Sequence, residues 1–321
     1  MSGNIKVKVI SREEQGQAVM VISVTSLDNQ PLPSFEAGAH VDLYLDDGLV
    51  RQYSLCSSPD NLSTYRLGIL KNPESRGGSI RAHQIKPGDL VEISPPRNFF
   101  PLDSSANHSL LIGGGIGVTP MLAMADTLYR QGKSFEFVYC AKSRTTAGFV
   151  DEILAGGWSD KAILHFSDEN CQERIPLSKI LSHAPYNTHL YVCGPEGFMQ
   201  WVLDNAKDAG FSDQQLHKEF FHKTIENSGN SFTVCITNLN KEVIVREDQS
   251  ITEALSHAGI KVKVSCQQGI CGTCLANVLC GVPDHRDSYL TQDEKEDNDQ
   301  IILCCSRSLS ERLEIEVFEI E

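Results

Sequence analysis

The first hundred residues alternate apolar and polar positions in short runs. Pro, Gly and Asp turns separate five such runs, which read KVKVIS, AVMVISVT, HVDLYL, TYRLGIL and LVEIS. Alternation with a period of two predicts strands that bury one face, and short strands joined by turns are typical of an antiparallel barrel. We therefore expect residues 1–103 to form an antiparallel β-barrel.

From residue 104 the pattern changes to apolar strands that lead into amphipathic helices. SLLIGGG leads into TPMLAMADTLYR, FEFVYCA into FVDEILAG, and HLYVCGP into EGFMQWVLDNAKDAG, while AILHFS adds a further strand. This alternation of strands and helices predicts an α/β domain over residues 104–225, with a parallel sheet covered by helices. The polar segment HKTIENSGNS, residues 222–231, reads as a linker to a third domain.

The remaining residues, 226–321, contain the pattern of a small α+β domain. FTVCITN and KEVIVRED predict a hairpin, and SITEALSHAGI predicts a helix. A chain of 321 residues is long enough for two or three compact units. The sequence therefore predicts a multidomain protein.

Charge and composition narrow the functional classes. The formal net charge is -14, so the surface should repel nucleic acid and anionic membranes, and we expect neither as a partner. No run of 18 apolar residues occurs, and the opening MSGNIKVKVISREEQ lacks an apolar core of signal-peptide length. We expect a cytoplasmic protein, in which 11 cysteines are more naturally metal ligands or buried thiols than disulfides.

Three cysteines lie within the nine residues CQQGICGTC. Their spacing is C-x4-C-x2-C, and a further cysteine follows after 29 residues, which is the plant-type arrangement for a 2Fe-2S cluster. The predicted ligands are Cys266, Cys271, Cys274 and Cys304. Zinc is the weaker alternative, because structural zinc sites favour paired short spacings. Gly269 and Gly272 suit a loop that needs positive φ angles and amides turned toward inorganic sulfides.

The fourth predicted ligand has a neighbour of the same type. Cys304 and Cys305 are adjacent, and neighbouring side chains of an extended segment point to opposite faces, so only one of them can bind the cluster. The 29-residue gap selects Cys304, which leaves Cys305 as a packed thiol. An exchange of these two roles stays open.

A glycine-rich turn, GGGIGVTP at residues 113–120, follows the first strand of the α/β domain. We expect Thr119 to cap the next helix and Pro120 to be its first residue. The backbone could approach a pyrophosphate at Gly114, Gly115 and Gly117, with the helix N-terminus stabilising the charge. A proline stands where a G-x-G-x-x-G fingerprint needs its third glycine, so the turn alone could be an ordinary structural feature.

A second turn, YVCGPEGFM at residues 191–199, supports a nucleotide site. It places Cys193, Gly194 and Pro195 at the carboxyl edge of a later strand, where ligands bind in open α/β sheets. A simple core thiol is the alternative role for Cys193.

The residues after FEFVYCA bear on the choice of nucleotide. Lys142, Ser143 and Arg144 stand where a carboxylate would favour the free 2′-hydroxyl of NAD and basic groups would tolerate a 2′-phosphate. Solvated loop charges are the ordinary alternative for the two basic residues.

The barrel contains RQYSLCSS at residues 51–58 and RGGS at 76–79. The planar fork of arginine suits phosphate, and paired glycines expose backbone amides beside it. Each motif alone could be a strand with a surface arginine or an ordinary glycine turn. A nicotinamide delivers two electrons as hydride, whereas a 2Fe-2S cluster accepts one at a time, so the electron pair must be split, as a flavin can do.

Together these motifs resemble the phthalate dioxygenase reductase family of the ferredoxin reductase superfamily over nearly all of the chain. The likeness includes R-x-Y-S, G-x-G-x-T-P, C-G-P, PPRNFFPL and DHRD. It implies an FMN-binding barrel, an NAD(P)-binding domain and a plant-type ferredoxin domain with a β-grasp fold, in that order, and it favours FMN over FAD. Relatives in this branch use NADH, so we expect NADH, with NADPH left open.

The resemblance assigns roles to individual residues. It implies catalytic positions at Ser54 near the flavin N5 atom and at Thr119 and Cys193 beside the nicotinamide. Tyr53 would pack on the flavin ring, and Glu219 and Phe220 would lie against it. Phe220 and Phe221 could equally be domain-packing residues. The phosphate-binding residues implied for the flavin are Arg51, Arg76, Gly77, Gly78 and Ser79. Those implied for the nucleotide are Gly114, Gly115, Gly117, Thr119, Pro120, Ser143, Arg144, Cys193, Gly194 and Pro195.

The resemblance also implies a function, namely the reductase component of a two-component Rieske-type oxygenase. Electrons would pass from NADH through FMN and the cluster to a separate oxygenase protein. Two other classes stay open, a flavin diaphorase that reduces quinones or ferric chelates and an iron–sulfur redox-sensing interaction protein. Turnover with dyes but with no oxygenase would favour the first, and negligible NAD(P)H oxidation with a normal cluster would favour the second.

Overall fold

The computed structural model describes residues 3–45, 49–72, 77–171, 173–221 and 228–318. The chain divides into two compact units, residues 1–221 and 222–321. The boundaries predicted at 103/104 and 225/226 stay predictions, and the first six residues of the predicted linker lie outside the described residues. Among the described helices, none has the length and apolar character needed to cross a membrane.

Six antiparallel strands and one short helix form the N-terminal part of the first unit. They are β1 Ile5–Gln15, β2 Val19–Ser26, β3 His40–Tyr44, β4 Val50–Ser54, β5 Tyr65–Leu70, α1 Gly78–Ala82 and β6 Leu90–Ile93. The order across the sheet is β4-β3-β6-β1-β2-β5. A bridge between Leu55 and Leu67 joins the two outer strands and closes the sheet. The predicted antiparallel barrel is confirmed.

Strand β2 ties the barrel to the domain that follows. Met20 and Ile22 belong to the core inside the barrel, whereas Val19 and Val21 belong to the core that covers the next sheet. Both faces of the strand are therefore buried, which accounts for its nearly continuous apolar sequence.

A parallel sheet with helices forms the rest of the first unit. Its elements are β7 His108–Gly114, α2 Val118–Arg130, β8 Phe135–Ala141, α3 Val150–Ala155, β9 Ala162–Phe166, α4 Leu177–Ser182, β10 Thr188–Cys193, α5 Glu196–Asp208 and β11 Leu216–Glu219. The strand order is β11-β10-β7-β8-β9. The predicted parallel sheet is confirmed. The sequence pattern missed α4 and β11, because elements of six and four residues are too short to show a period.

An ion pair with two hydrogen bonds also links the barrel to the α/β layer. Arg66 of β5 donates two hydrogen bonds of 2.8 Å to the carboxylate of Glu152 in the first turn of α3. Such two-point contacts fix both side chains in one orientation.

The second unit is an α+β domain. Its elements are β12 Phe232–Ile236, β13 Lys241–Val245, α6 Ile251–His257, β14 Leu275–Cys280, β15 Pro283–Asp284, α7 Gln292–Asp297, β16 Gln300–Ile302, β17 Arg307–Ser308 and β18 Arg312–Val317. The main sheet has the order β13-β12-β18-β14-β16, in which β12 and β18 are parallel. The predicted hairpin and helix are confirmed, and Ser250 begins α6 with a reciprocal capping contact to Glu253.

Candidate functional site

The two predicted nucleotide turns meet at the carboxyl edge of the parallel sheet. Strands β7 and β10 are paired, so the turn after each strand ends beside the other. A side-chain carbon on Gly117 would lie 2.3 Å from the carbonyl oxygen of Cys193, and one on Gly194 would lie 3.0 Å from the Cα of Gly114. Glycine is required at position 117 because a side chain there would collide with the Cys193 backbone, and the close approach to Gly114 favours glycine at position 194.

The start of α2 differs from the prediction. A 3-10 turn over residues 115–117 precedes the helix, whose N-cap is Gly117, so Thr119 is the second helical residue and Pro120 the third. The predicted capping role of Thr119 and the predicted first-position role of Pro120 are therefore wrong. The Thr119 hydroxyl instead donates to the carbonyl oxygen of Ile116 at 3.0 Å, and the side chain is buried against the barrel strand at Gly68.

A buried carboxyl group lies between the barrel and the sheet edge. Glu219 ends β11 in register with Cys193 at the end of β10. Ser54 ends β4, and its hydroxyl donates to a carboxylate oxygen of Glu219 at 3.4 Å. Three residues that lie far apart in sequence and were predicted to line one redox site therefore converge at one place.

Burial controls the charge of this group. It raises the pKa of Glu219 to about 8, although the Ser54 hydrogen bond opposes the shift. His40 lies 3.9 Å from the same carboxyl group, and burial, assisted by the positive charge of Arg97, lowers its pKa to about 4. Near pH 7 the contact therefore joins a protonated acid to a neutral imidazole and is not an ion pair. No local sequence pattern marked His40, which is one polar position in a β-strand.

The two predicted flavin-phosphate motifs are also brought together. A side-chain carbon on Gly78 would lie 2.2 Å from Nε of Arg51, so the arginine lies directly over the start of α1. Gly77 precedes this helix with φ of 92°, in the left-handed region that glycine tolerates. The hydroxyl of Ser79 accepts a hydrogen bond from the backbone amide of Asn72 at 3.1 Å. Arg76 lies outside the described residues.

The predicted aromatic contacts divide between two surroundings. Tyr53 is half-buried on β4, and burial raises its pKa to about 12, with the charge of Arg51 opposing the shift. Phe220 packs against the core formed by α4, α5 and the sheet. The described contacts of Phe220 therefore fit a role in domain packing, which is one of the two roles predicted for it.

Pro195 of the second nucleotide turn is the N-cap residue of α5.

An acidic residue that the sequence analysis missed lies beside the predicted ribose-binding residues. Arg144 donates hydrogen bonds of 3.0 and 3.4 Å to the two carboxylate oxygens of Glu169, and its guanidinium lies 4.6 Å from the centre of the Phe166 ring. Ser143 bonds to the hydroxyl groups of the following threonines. Glu169 follows β9, the strand next to β8, so the sheet order was the information needed to find it.

The predicted cluster ligands lie together in the second unit. Side-chain hydrogen bonds link Cys266 to Cys271 and to Cys304, and link Cys304 to Cys274 and to the adjacent Cys305. Backbone amides donate to two of the sulfur atoms, from Gln268 to Cys266 and from residue 269 to Cys304, each at 3.3 Å. The set supplies four thiol groups with inward-pointing amides, which fits a 2Fe-2S cluster.

The loop glycines have the predicted conformation. Gly269 and Gly272 have φ of 71° and 70°. A side-chain carbon on Gly269 would lie 2.5 Å from the sulfur of Cys305, and one on Gly272 would lie 2.3 Å from the Tyr289 ring. Cys305 is fully buried, and its sulfur also lies 3.8 Å from the Ile302 carbonyl oxygen and from the Ser306 hydroxyl, contacts that fit a packed thiol.

Comparisons with known proteins identify related domains in both units. Residues 236–309 match the family model of the 2Fe-2S iron-sulfur cluster binding domain, and residues 91–216 match the N-terminal domain of dimethylamine monooxygenase subunit DmmA-like proteins. The vanillate O-demethylase oxidoreductase of Pseudomonas sp. strain HR199 is 43% identical over 309 residues, which cover 95% of this chain and 98% of that relative.

Solved structures extend the likeness to the whole fold. Phthalate dioxygenase reductase, described as a modular structure for electron transfer from pyridine nucleotides to 2Fe-2S, is 32% identical with a TM-score of 0.76, and the match covers 98% of both chains. An intact type IV self-sufficient cytochrome P450 monooxygenase is 32% identical with a TM-score of 0.85. The match covers 98% of this chain but 41% of that one.

Proposed function

The chain belongs to the phthalate dioxygenase reductase family of electron-transfer oxidoreductases, and on that premise we propose that it carries electrons from NADH through FMN and its 2Fe-2S cluster to a Rieske-type terminal oxygenase. The observation that carries the proposal is the convergence of Ser54, Cys193 and Glu219 at the carboxyl edge of the parallel sheet. Open α/β sheets bind nucleotides at this edge.

The nucleotide-binding residues act by position. Gly115 and Gly117 carry no side chains on either side of Ile116, so that the backbone amides of the turn could approach a pyrophosphate. Thr119 and Cys193 bound the end of this turn and would orient the nicotinamide. Ser143 and Arg144 lie where the adenosine ribose would bind. Because Arg144 is already paired with Glu169, its charge is compensated, which supports NADH over NADPH.

The flavin-binding residues fit a phosphate at one end and a ring at the other. Arg51 over Gly78 offers a planar cation beside exposed backbone amides, with Gly77 and Ser79 adjacent. The phenol ring of Tyr53 supplies an apolar face. FMN, when bound, supplies chemistry that side chains lack, because it accepts a hydride and releases its electrons singly. Glu219 holds a proton next to the Ser54 hydroxyl at this place.

The second unit would hold the one-electron centre. Cys266, Cys271, Cys274 and Cys304 supply the thiolates. The amides at positions 268 and 269 that donate to sulfur stabilise negative charge on the ligands, which raises the tendency of a cluster to accept an electron.

The first test is an anaerobic titration of the purified chain with NADH and then NADPH, followed by visible absorption and electron paramagnetic resonance. We expect NADH to bleach a flavin spectrum and to produce the signal of a reduced 2Fe-2S cluster. An absent flavin, or a cluster that stays oxidised while the flavin is reduced, would overturn the proposed electron path.

The acceptor needs a separate test. The Pseudomonas relative is named as a vanillate O-demethylase oxidoreductase. We therefore propose that the acceptor is an oxygenase for aromatic acids, and vanillate is the first substrate to test with it. A cytochrome P450 is a second candidate acceptor, because a P450 monooxygenase contains a segment similar to nearly all of this chain. The chain and NADH are mixed with a purified Rieske oxygenase or with a P450. Reduction of the Rieske oxygenase but not of the P450 haem would support an oxygenase acceptor. Reduction of the P450 haem alone would support a P450 acceptor.

We also propose that the chain has three domains, over residues 1–103, 104–225 and 226–321, and that the protein is cytoplasmic. The eleven cysteines, all within the described residues, form no disulfide bond, which supports a reducing compartment.

A further inference from the structure

Two histidines and an aspartate meet at the edge of the parallel sheet opposite the nucleotide turns. His189 lies near the start of β10, His217 lies on the neighbouring strand β11, and Asp103 lies in the segment that leads into β7. Cys193 ends β10 four residues after His189, so this group lies about 13 Å along the strand from the proposed nicotinamide site.

The donor atoms of the three residues face one another. Nδ1 of His189 lies 2.9 Å from Nε2 of His217, and 3.7 Å from Oδ2 of Asp103. All three donor atoms lie within 4.8 Å of one another. Tetrahedral metal sites with bonds of about 2.0–2.1 Å separate their ligand atoms by roughly 3.3 Å. The separations of 2.9 Å between the two histidines and 3.7 Å between His189 and Asp103 lie on either side of that value.

Asp103 and His217 are held in place by further contacts that do not use the converging donor atoms. One oxygen of Asp103, Oδ1, accepts hydrogen bonds of 2.8 and 2.6 Å from the amide and hydroxyl of Ser105, so Oδ2 is turned toward His189. The Tyr191 ring stacks on His217 at 4.5 Å, and its hydroxyl accepts a 2.7 Å bond from the Asp103 amide. Ligands fixed in this way lose little freedom when a metal binds.

We propose that Asp103, His189 and His217 form a binding site for a divalent transition metal of the Zn²⁺, Ni²⁺ or Cu²⁺ type. Imidazole nitrogens select such ions over Mg²⁺ and Ca²⁺, which prefer sites built from oxygen atoms. His189 is buried, whereas Asp103 is about one third exposed, so a fourth ligand position faces solvent and can hold water. A hydrogen-bonded histidine pair without metal affinity is the competing interpretation.

The test measures Zn²⁺ binding by isothermal titration calorimetry on the full chain with its cofactors bound. The variants are His217→Gln, which removes a donor, and Asp103→Asn, which weakens one at a partly exposed position that should tolerate the change. His183→Gln, in an exposed histidine outside the group, is the matched control. The variants retain all cysteines, so binding of zinc to thiols is common to every sample. Circular dichroism establishes that each variant is folded.

We expect His217→Gln to lose one equivalent of zinc that wild type and His183→Gln both bind. Asp103→Asn should bind that equivalent at least about tenfold more weakly. With Cu²⁺ on the oxidised protein, the paramagnetic resonance of wild type should show coupling to imidazole nitrogen that His217→Gln lacks. Equal zinc stoichiometry and affinity in wild type and both variants would overturn the proposal and leave a histidine pair that only hydrogen-bonds.

Discussion

The hydroxyl of Ser54 donates to the buried carboxyl group of Glu219 at 3.4 Å, which joins the last residue of a barrel strand to the last residue of a parallel strand. Burial raises the pKa of Glu219 to about 8 from its ordinary value of 4.5. The folded protein therefore binds more protons than the unfolded chain between these pH values, and its stability falls as the pH rises through this window.

The first prediction concerns this carboxyl group. Glu219→Gln, which imitates the protonated acid, should remove the loss of stability between pH 5 and 9, a change of about 2 to 4 kcal/mol in wild type. Urea unfolding followed by tryptophan fluorescence measures it, since Trp158 and Trp201 both lie in the first unit. Glu36→Gln, at an exposed glutamate, is the control and should keep the wild-type pH profile. An unchanged profile in Glu219→Gln would show that another group titrates.

The second prediction separates the adjacent cysteines. Cys304→Ser should lose the visible absorption and the reduced-state resonance signal of the cluster, because the Cys304 thiol hydrogen-bonds to two other predicted ligands, Cys266 and Cys274, as well as to Cys305. Cys305→Ser should keep both signals, because the Cys305 sulfur is packed behind the loop. Iron content and resonance spectra of the two purified variants decide the assignment. Loss of the cluster in Cys305→Ser alone would exchange the two roles.

The third prediction concerns the cluster loop. Gly269→Ala adds a carbon 2.5 Å from the sulfur of Cys305 at a φ of 71°, so we expect cluster occupancy to fall severalfold. Gly259→Ala is a matched control in the same unit, since its φ is 74° but its added carbon meets nothing within 4 Å. The control should cost about 1 kcal/mol of backbone strain and keep the cluster. Iron and sulfide analysis provides the comparison, and equal occupancy in both variants would contradict the steric argument.

The fourth prediction concerns the choice of nucleotide. Glu169→Gln leaves Arg144 uncompensated and removes a negative charge, so kcat/KM for NADPH should rise about threefold to fivefold relative to NADH. The effect is small because the pair is about half exposed. Dye reduction with each nucleotide measures the ratio. Glu173→Gln, in an exposed glutamate of the following turn, should leave the ratio unchanged. A ratio that stays the same in Glu169→Gln would place the ribose elsewhere.

The histidine group at the opposite sheet edge could not be predicted from the sequence. Asp103, His189 and His217 belong to three separate segments, and neither their spacing nor their neighbours resemble a metal motif. Parallel pairing of β10 with β11 brings the two histidines together, and the sequence pattern missed β11. The same limit applies to His40, whose position beside Glu219 depends on how the barrel meets the sheet.

The sequence by itself determined the classes of structure and the cluster. Alternating runs predict antiparallel strands, strand and helix alternation predicts a parallel sheet, and local spacing predicts cysteine ligands, because each of these signals lies within a few dozen residues. Only the tertiary structure decided the helix start at Val118, the pairing of Arg144 with Glu169 and the protonation of Glu219. These depend on burial and on contacts between distant segments, and no local pattern encodes them.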